Sequence, residues 1–291
     1  MRPTLPAVFA FVRLVCLLLA LAVPAAALMQ SPALAQAEPE FFDVPFAPGQ
    51  WNIGRRLDES QLRYCIDPRE PDWEVAGAIA DAIAAGLLLE PQRYVVESNI
   101  VLEDITKVYG LMLKHCDVHM GFKLIPEGYA DWVSLTRAYY ESQYVFVAAD
   151  PDIHALADLP PGHPIGATIG TSAHFRLVSY LLALPAEQRW PTYPYGSNDL
   201  ALESLRNGSV DVALVWAPSL WARQRQDPAY ADLHVIESRP LPPTTLGVGA
   251  IVLSNQTFLR NAIDEAIVAL SADGTIARIL ESFNFPATAA P

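Results

Sequence analysis

The densest group of chemically reactive side chains lies between Asp67 and Glu74, where the sequence Asp-Pro-Arg-Glu-Pro-Asp-Trp-Glu contains four carboxylates. Carboxylate oxygens are preferred ligands of hard cations such as Ca²⁺. The spacing does not match an EF-hand loop, and the segment lacks the central glycine that such a loop needs for its turn. A solvated turn between two elements therefore explains these acidic residues better than a cation site.

A second group contains zinc-ligand residue types, namely His115, Cys116, Asp117 and His119. In an alternating strand Cys116 faces the side opposite to the other three residues. The spacing also matches no common structural zinc pattern. The sequence therefore predicts no bound metal here.

Motifs for nucleophilic, redox or cofactor chemistry are absent from the chain. It has no Gly-x-Ser-x-Gly elbow, no Cys-x-x-Cys pair, no dinucleotide-binding glycine fingerprint and no haem attachment site. We therefore expect a non-enzymatic protein with no catalytic residues and no cofactor. Histidines and carboxylates from distant segments could still assemble a site in space, so an enzyme remains an alternative.

The N-terminus has the pattern of an export signal. Arg2 and Arg13 precede an apolar core at residues 14–23, and the small residues Ala35-Gln36-Ala37 form a cleavage site. We predict a signal peptide over residues 1–37 and a periplasmic mature protein. A membrane anchor is the alternative, but the apolar run is about half of the ~20 residues that a spanning helix needs.

Net charge limits the classes of partner that the protein can bind, and the cysteine count bears on a disulfide. The formal charge of −13 falls by two, to −15, once Arg2 and Arg13 are removed. Nucleic acid is excluded because it requires clustered Lys and Arg. The acidic surface suits either steering toward a basic protein or simple solubility. After cleavage Cys65 and Cys116 remain, and in an oxidising compartment an even pair favours a disulfide over two buried thiols.

From residue 62 the hydrophobic pattern alternates between strand and helix. Three short apolar runs predict strands at residues 62–66, 93–96 and 117–120. Val75, Ile79 and Ile83 recur at helical spacing, and Gly86 is predicted as the left-handed residue just beyond that helix. A second alternation begins at residue 165 and includes an apolar strand at 210–215. This order predicts an α/β fold with mostly parallel sheets flanked by helices.

The run from His115 to Ala149 combines a buried strand, a polar loop, a tyrosine pair and a second apolar strand. It resembles the first-lobe signature of two-lobed periplasmic solute-binding proteins of the family 3 type. The resemblance implies a type II periplasmic binding protein fold with two hinge crossings. It places lobe 1 at residues 38–148 and 249–291, and lobe 2 at residues 149–248. It also brings the strand ends that carry the two cysteines together.

Within that superfamily, short motifs are similar to the branch associated with quinoprotein methanol and alcohol dehydrogenases. These motifs are Cys65, Cys116, Tyr139-Tyr140, the strand residues 144–147 and Val215-Trp216. The resemblance therefore implies a PQQ-dependent dehydrogenase, or its cytochrome c, as the partner.

The resemblance also predicts that the ligand lies between the lobes, at the carboxyl ends of the strands. Amino-acid binders of this superfamily hold the ligand carboxylate with an arginine after a Pro-Glu pair, and the ligand ammonium with an aspartate after a strand. The first position is Gly128 here, and the second is Trp216 or Ala217. Because a buried zwitterion without counter-charges is costly, we do not expect an amino-acid receptor.

The predicted cleft residues come from both lobes, and they are Asp67, Trp73, Gly121, Phe122, Thr171, Ser172 and Trp216. Thr171 and Ser172 precede a helix, where they could hold an anion or simply cap the helix. Tyr139 and Tyr140 could line the same cleft, although core packing is the usual role of a single aromatic residue. Trp216 ends a strand at the ligand-facing edge, so we expect it to be partly solvent-accessible.

Three functions follow in order of preference. The first is a periplasmic, non-enzymatic accessory of a PQQ-dependent methanol or alcohol dehydrogenase. The second is the substrate-binding subunit of an ABC importer for an uncharged or aromatic solute. The third is a dehydratase of cyclic acids built on the same fold.

Overall fold

The structure is a computed structural model that describes residues 60–97, 105–125 and 128–291. All of these residues lie in one compact unit, Pro45–Pro291. The predicted signal peptide at 1–37 and the start of the predicted first lobe at 38–59 lie outside the described residues. No helix within the described ranges is long and apolar enough to cross a membrane.

Strands and helices alternate along the described chain, as the hydrophobic pattern predicts. The strands are β1 Gln61–Ile66, β2 Glu90–Val95, β3 Val118–Lys123, β4 Val133–Leu135, β5 Tyr140–Ala148, β6 Ile165–Thr168, β7 Thr192–Tyr195, β8 Val212–Trp216, β9 His234–Ile236, β10 Thr244–Leu253 and β11 Thr288–Ala289. The helices are α1 Trp73–Gly86, α2 Ile105–Lys114, α3 Ser172–Ala183, α4 Asn198–Arg206, α5 Ala217–Gln226, α6 Thr257–Ala272 and α7 Thr275–Ser282.

The main strands form one sheet in the order β2-β1-β3-β10-β5-β8-β6-β7. Strands β1, β2 and β3 are parallel to one another, and so are β6, β7 and β8. Between these groups β10 runs antiparallel to both β3 and β5, and β5 runs antiparallel to β8. The two long strands β5 and β10 therefore connect two α/β units, and this is the two-lobed fold that the sequence predicts.

We refer to β1–β3 with α1, α2, α6 and α7 as the first lobe, and to β6–β8 with α3–α5 as the second lobe. The predicted boundaries at 148/149 and 248/249 fall at the end of β5 and inside β10. They stay predictions at the level of single residues.

Hydrophobic packing joins the lobes through a shared core. In the first lobe, Val75, Ile79 and Ile83 of α1 pack with the apolar faces of α6 and α7. The same cluster of buried residues continues through Tyr140 and Tyr144 of β5 to β6 and β8 in the second lobe. Separate clusters cover the opposite faces of the sheet, beneath α2 in one lobe and beneath α4 and α5 in the other. The inner strands β6 and β8 are thus buried on both faces, as expected for parallel strands, whereas the edge strand β2 is largely exposed.

Helix α1 ends differently from the prediction. Gly86 is the last helical residue rather than the left-handed residue beyond it, and Leu88 takes the positive φ of 58°. The Leu89 N–H reaches back to the carbonyl of Ala84 at 2.8 Å, which closes the helix end and satisfies one of its free carbonyls. The left-handed conformation that was predicted for Gly86 is therefore adopted by Leu88, at the energetic cost that this conformation has for a residue with a Cβ.

Candidate functional site

The carboxyl ends of β1 and β3 in the first lobe, and of β6 and β8 in the second, are the edges at which α/β sheets bind ligands. The acidic turn after β1 does not present four free carboxylates there. Asp67 is 5% exposed and accepts hydrogen bonds from Arg69, at 2.9 Å from Nε and 2.8 Å from Nη2. This bidentate pair neutralises the Asp67 carboxylate locally.

Asp72 is the most deeply placed carboxylate of the turn, at 3% exposure. The hydroxyl of Tyr140 donates to its Oδ2 at 2.7 Å. Burial raises the pKa of Asp72, whereas the Tyr140 hydrogen bond and the positive charge of Lys123 lower it. The turn after β1 is therefore fixed to β5 by a buried hydrogen bond.

Gly121 and Tyr139 hold the adjacent strand end in place. Gly121 has a φ of +89°, and a Cβ at this position would lie 3.7 Å from Oδ1 of Asp72. Its N–H donates to the Tyr139 hydroxyl at 2.9 Å. A left-handed conformation beside a buried carboxylate explains the glycine. The tyrosine pair Tyr139-Tyr140 thus supports both strand ends from below, with both rings fully buried.

Lys123, the last residue of β3, was not among the predicted cleft residues, yet its ammonium reaches the second lobe. Its Nζ lies 5.2 Å from the centre of the Trp216 ring, within the range of a cation–π interaction. The Tyr129 hydroxyl donates to the Lys123 carbonyl and so fixes the backbone beneath this side chain. The sequence signal for the contact with Trp216 is limited to a basic residue two positions after Gly121.

Glu70 adds a negative charge beside Lys123. The residue is exposed to solvent, and desolvation by the surrounding protein raises the pKa of its carboxyl group. The Lys123 ammonium lowers that pKa, and the carboxylates of Asp72 and Asp67 raise it. Glu70 and Lys123 therefore give the junction both signs of charge.

Trp216 does not have the partial solvent accessibility that the sequence predicts. It is 2% exposed and packs against the Tyr144 ring with centroids 5.1 Å apart. Its backbone N–H donates to Oδ1 of Asn198 at 3.1 Å. Ala217 instead packs into the second-lobe cluster beneath α4 and α5. Trp216 therefore lies at the junction of the lobes, as expected, but it is sealed there.

The structure gives Thr171 the role of a helix cap. Its hydroxyl accepts from the His174 N–H at 3.1 Å and donates to the Thr168 carbonyl at 2.9 Å. Ser172 is the first residue of α3 and is exposed. Because the Thr171 hydroxyl is already used twice, capping explains this residue without an anion.

The remaining predicted aromatic residues diverge. Trp73 is partly buried and packs against the shared core. Phe122 packs in the cluster beneath α2, with its ring 5.0 Å from that of His119. Phe122 and Trp216 thus belong to different hydrophobic clusters, and the structure does not bring all the predicted cleft residues together.

The zinc-ligand residue types also separate. Cys65 and Cys116 form a disulfide with Cα atoms 5.5 Å apart, which confirms that prediction. Asp117 pairs with Arg63 at 3.3 Å, and His119 is buried. Because β3 begins only at Val118, the predicted alternation does not extend back to His115. No group of three or more metal-ligand residues occurs within the part of the chain that the structure describes.

Comparison with known proteins identifies similarity at the level of fold. No family model matches the chain, and no curated protein does. The periplasmic VFT2 domain of BvgS from Bordetella pertussis matches with a TM-score of 0.58 at 17% identity, over 77% of this chain and 93% of that one. The L-cystine solute receptor of Neisseria gonorrhoeae, unliganded and open, matches with a TM-score of 0.57 at 16% identity, over 80% and 96%.

A third solved structure, the GluR0 ligand-binding core in complex with L-glutamate, has a TM-score of 0.55 at 16% identity, over 77% of this chain and 97% of that one. All three matches span nearly the full length of the solved domain. The chain therefore has the two-lobed fold of solute-binding proteins and ligand-binding receptor domains.

Proposed function

We propose that this chain is an exported, non-enzymatic protein of the solute-binding fold that assists a PQQ-dependent methanol or alcohol dehydrogenase, through contact with the enzyme or with its cytochrome c. The observation that carries the proposal is that the lobe junction, within the described residues, lacks the charged groups of an amino-acid site and is filled by the protein's own side chains. Where the resemblance places the two charged partners of an amino-acid ligand, the chain has Gly128 and either Trp216 or Ala217, and the Trp216 ring already contacts the protein's own Lys123.

The space around Gly128 also bears on this interpretation. A Cβ there would lie 3.1 Å from both the side chain and the carbonyl oxygen of Ile125, so Ile125 would have to move by a few tenths of an ångström to accept a side chain. The neighbouring Pro126 and Glu127 lie outside the described residues. An arginine clamp for a ligand carboxylate has no ready place at residue 128, which weakens the case for an amino-acid receptor.

A dehydrogenase is proposed as the partner because of the short motifs that resemble the dehydrogenase-associated branch. Cys65 and Cys116 brace the first lobe through the disulfide, Tyr139-Tyr140 support its strand ends, and Trp216 meets Tyr144 at the junction. These motif residues are buried, the cysteines in the cluster beneath α2 and the aromatic residues in the shared core. They would therefore act on a partner through the arrangement of the lobes and not through direct contact.

The first test removes the gene from the producing cell. We expect periplasmic PQQ-dependent alcohol oxidation to fall, and a plasmid copy of the intact gene to restore it. The dehydrogenase should be quantified by immunoblot at the same time, because an effect on its abundance differs from one on its activation. Unchanged dehydrogenase activity after deletion would reject the accessory role.

A second test addresses amino-acid reception directly. Thermal-shift and calorimetric screening of the twenty common L-amino acids should show no binding at micromolar affinity. A ligand at 100 times its dissociation constant would stabilise the fold by about 2.7 kcal/mol, which is easily measured. One clear hit would return the protein to the transport class.

An importer subunit for an uncharged or aromatic solute is the second candidate. One observation favours it: Ile169, Phe175 and Leu200 are between 50% and 62% exposed, next to the strand ends of the second lobe. Such side chains suit an apolar solute better than a zwitterion. Stabilisation by a neutral aromatic solute, together with loss of its uptake in the deletion strain, would favour this candidate over the accessory role. A cyclic-acid dehydratase is the least favoured alternative, and turnover of such an acid by purified protein would establish it.

A further inference from the structure

We propose that Lys123 is an internal ligand of the cleft: the first lobe carries its ammonium to the Trp216 ring of the second lobe, and this contact holds the lobes closed. In the solute-binding fold a bound solute bridges the two lobes. Here a side chain of the protein occupies that bridging place. The proposal depends only on the fold and this contact, and not on the identity of the partner.

The base of the Lys123 side chain is anchored in the first lobe. Lys123 pairs with Val248 across β3 and β10, and the next residue, Leu124, donates its N–H to the Gly247 carbonyl at 2.8 Å. Tyr129 binds the Lys123 carbonyl through its hydroxyl. The ammonium therefore extends from a fixed strand end, and its position follows the first lobe.

The aromatic face belongs to the second lobe and is equally fixed. The Trp216 backbone pairs with Tyr144 across β8 and β5, and its backbone N–H donates to the side chain of Asn198 at the start of α4. The ring also packs against Tyr144. When the lobes separate, Lys123 and Trp216 must move apart, so the contact reports closure.

The charges around Lys123 favour the aromatic face as its direct partner. None of the ion pairs found within the described residues includes Lys123. Asp67 is paired with Arg69, and Asp72 accepts from Tyr140. Glu70 and Asp72 still interact electrostatically with the ammonium. A cation on an indole face with carboxylates nearby has the chemistry of an organic ammonium site.

A second contact between the lobes cannot replace this one. Arg225 of α5 lies 3.7 Å from Glu74 of α1, with both side chains close to half exposed. Exposed pairs of this kind contribute little because water and salt screen them. The partly buried Lys123–Trp216 contact is therefore the stronger hold. A cation–π interaction is weakest at an exposed site and strongest at a desolvated one. Across that range, the Lys123–Trp216 contact would raise the ratio of closed to open protein by about 2- to 30-fold.

The test measures lobe separation in the full mature protein by double electron–electron resonance. Spin labels are attached at two exposed positions, through Lys107→Cys in α2 and Ser179→Cys in α3. In this background, Lys123→Met should lower the closed fraction, whereas Lys114→Met, an exposed lysine of α2, should leave it unchanged. Circular dichroism and an intact disulfide establish that each variant is folded.

Rescue by an added cation gives the sharper test. Lys123→Ala removes the stem as well as the charge, and ethylammonium chloride should restore its closed distance while sodium chloride at equal ionic strength should not. Trp216→Leu should open the lobes and resist this rescue, whereas Trp216→Phe, which keeps an aromatic face, should open them less. Identical distance distributions in the parent, Lys123→Met and Lys123→Ala proteins would overturn the proposal. Opening of Lys123→Ala without rescue by ethylammonium would also overturn it, because Lys123 would then act only as a spacer.

Discussion

The two lobes bring different chemistry to the junction between them. The first lobe contributes Glu70, Asp72 and Lys123 at the ends of β1 and β3, supported by a tyrosine pair. The second lobe contributes Trp216, together with apolar side chains that stay exposed beside its strand ends, such as Phe175 at 62%. Charge thus comes from one side of the cleft and aromatic surface from the other.

This difference bears on the expectation that the chain is not an amino-acid receptor. The resemblance implies that amino-acid binders of this fold hold the ligand with an arginine and an aspartate. Here the polar groups of the first lobe are largely engaged with one another, and the second lobe offers a ring instead of a carboxylate. Beside the shared hydrophobic core, the Lys123 ammonium and the Trp216 ring provide an attraction between the lobes that needs no solute.

Truncation of Trp216, the second lobe's main contribution to the junction, should have the largest effect on the free energy of unfolding. Because Trp216 is sealed between Tyr144 and the shared core, we expect Trp216→Ala to lower the free energy of unfolding by about 3–5 kcal/mol. Chemical denaturation measures this, with Phe175→Ala as an exposed control that should change stability by less than about 0.5 kcal/mol. A small loss for Trp216→Ala would instead support the accessible tryptophan that the sequence predicts.

Removing the covalent brace of the first lobe should have a similar but slightly smaller effect. Cys65 and Cys116 are separated by 51 residues, and closing a loop of that length stabilises the folded state by about 4 kcal/mol in the chain-entropy model. The double variant Cys65→Ala/Cys116→Ala should unfold at correspondingly lower denaturant. Alkylation of both thiols in non-reduced, exported protein, detected by mass spectrometry, would contradict the bridge itself.

His119 should make the first lobe the acid-sensitive one. Burial lowers its pKa from 6.5 to about 4, and its Nε2 has no hydrogen-bond partner in the described part of the chain. The unfolded state therefore binds a proton below pH 6.5 that the folded state resists. Its contribution to stability is complete above pH 6.5 and is lost progressively down to pH 4, by up to about 3 kcal/mol.

The measurement is the unfolding free energy as a function of pH. His119→Leu should flatten the decline between pH 6.5 and pH 4, and His154→Gln, at an exposed position, should leave it unchanged. Parallel pH curves for His119→Leu and the parent protein would show that His119 is not the sensitive group.

Much of the architecture was predictable because it depends on periodic apolar residues. The alternation of strand and helix follows from apolar patterns that span many positions. The two-lobed plan was implied by the family resemblance, and the disulfide by an even pair of cysteines in an exported protein. The N-terminal end of α3 was also predictable, because Thr171 is a strong capping residue.

The site was less predictable, because single side chains decide it through distant contacts. Nothing in the local sequence shows that Lys123 reaches Trp216, or that Phe122 turns into the cluster beneath α2. The β10 register shifts between Gly249 and Ile251, opposite Phe122 and His119, and alternation along β3 alone does not reveal that shift. Trp216 was placed at the correct strand end, but its burial depends on how the other lobe closes over it.

Asn198 provides the smallest test of the comparison, because it fixes the backbone that carries the Trp216 ring through hydrogen bonds rather than packing. Its Oδ1 accepts from the Thr168 hydroxyl at 2.9 Å and from the Trp216 backbone N–H at 3.1 Å, so one side chain joins the ends of β6 and β8. Asn198→Ala leaves both donors without this acceptor and should cost about 2 kcal/mol. Asn198→Asp keeps the acceptor and should cost less.

Asn207 supplies the matched control, since its Oδ1 also accepts two hydrogen bonds but only from Ser209 in an exposed turn. Asn207→Ala should therefore change the unfolding free energy less than Asn198→Ala, because water can replace its partners. Equal losses at the two positions would mean that Trp216 is held by packing alone. A larger loss of unfolding free energy in Asn198→Ala, accompanied by a wider lobe separation, would show that the contact between Lys123 and Trp216 requires the Asn198 hydrogen bonds.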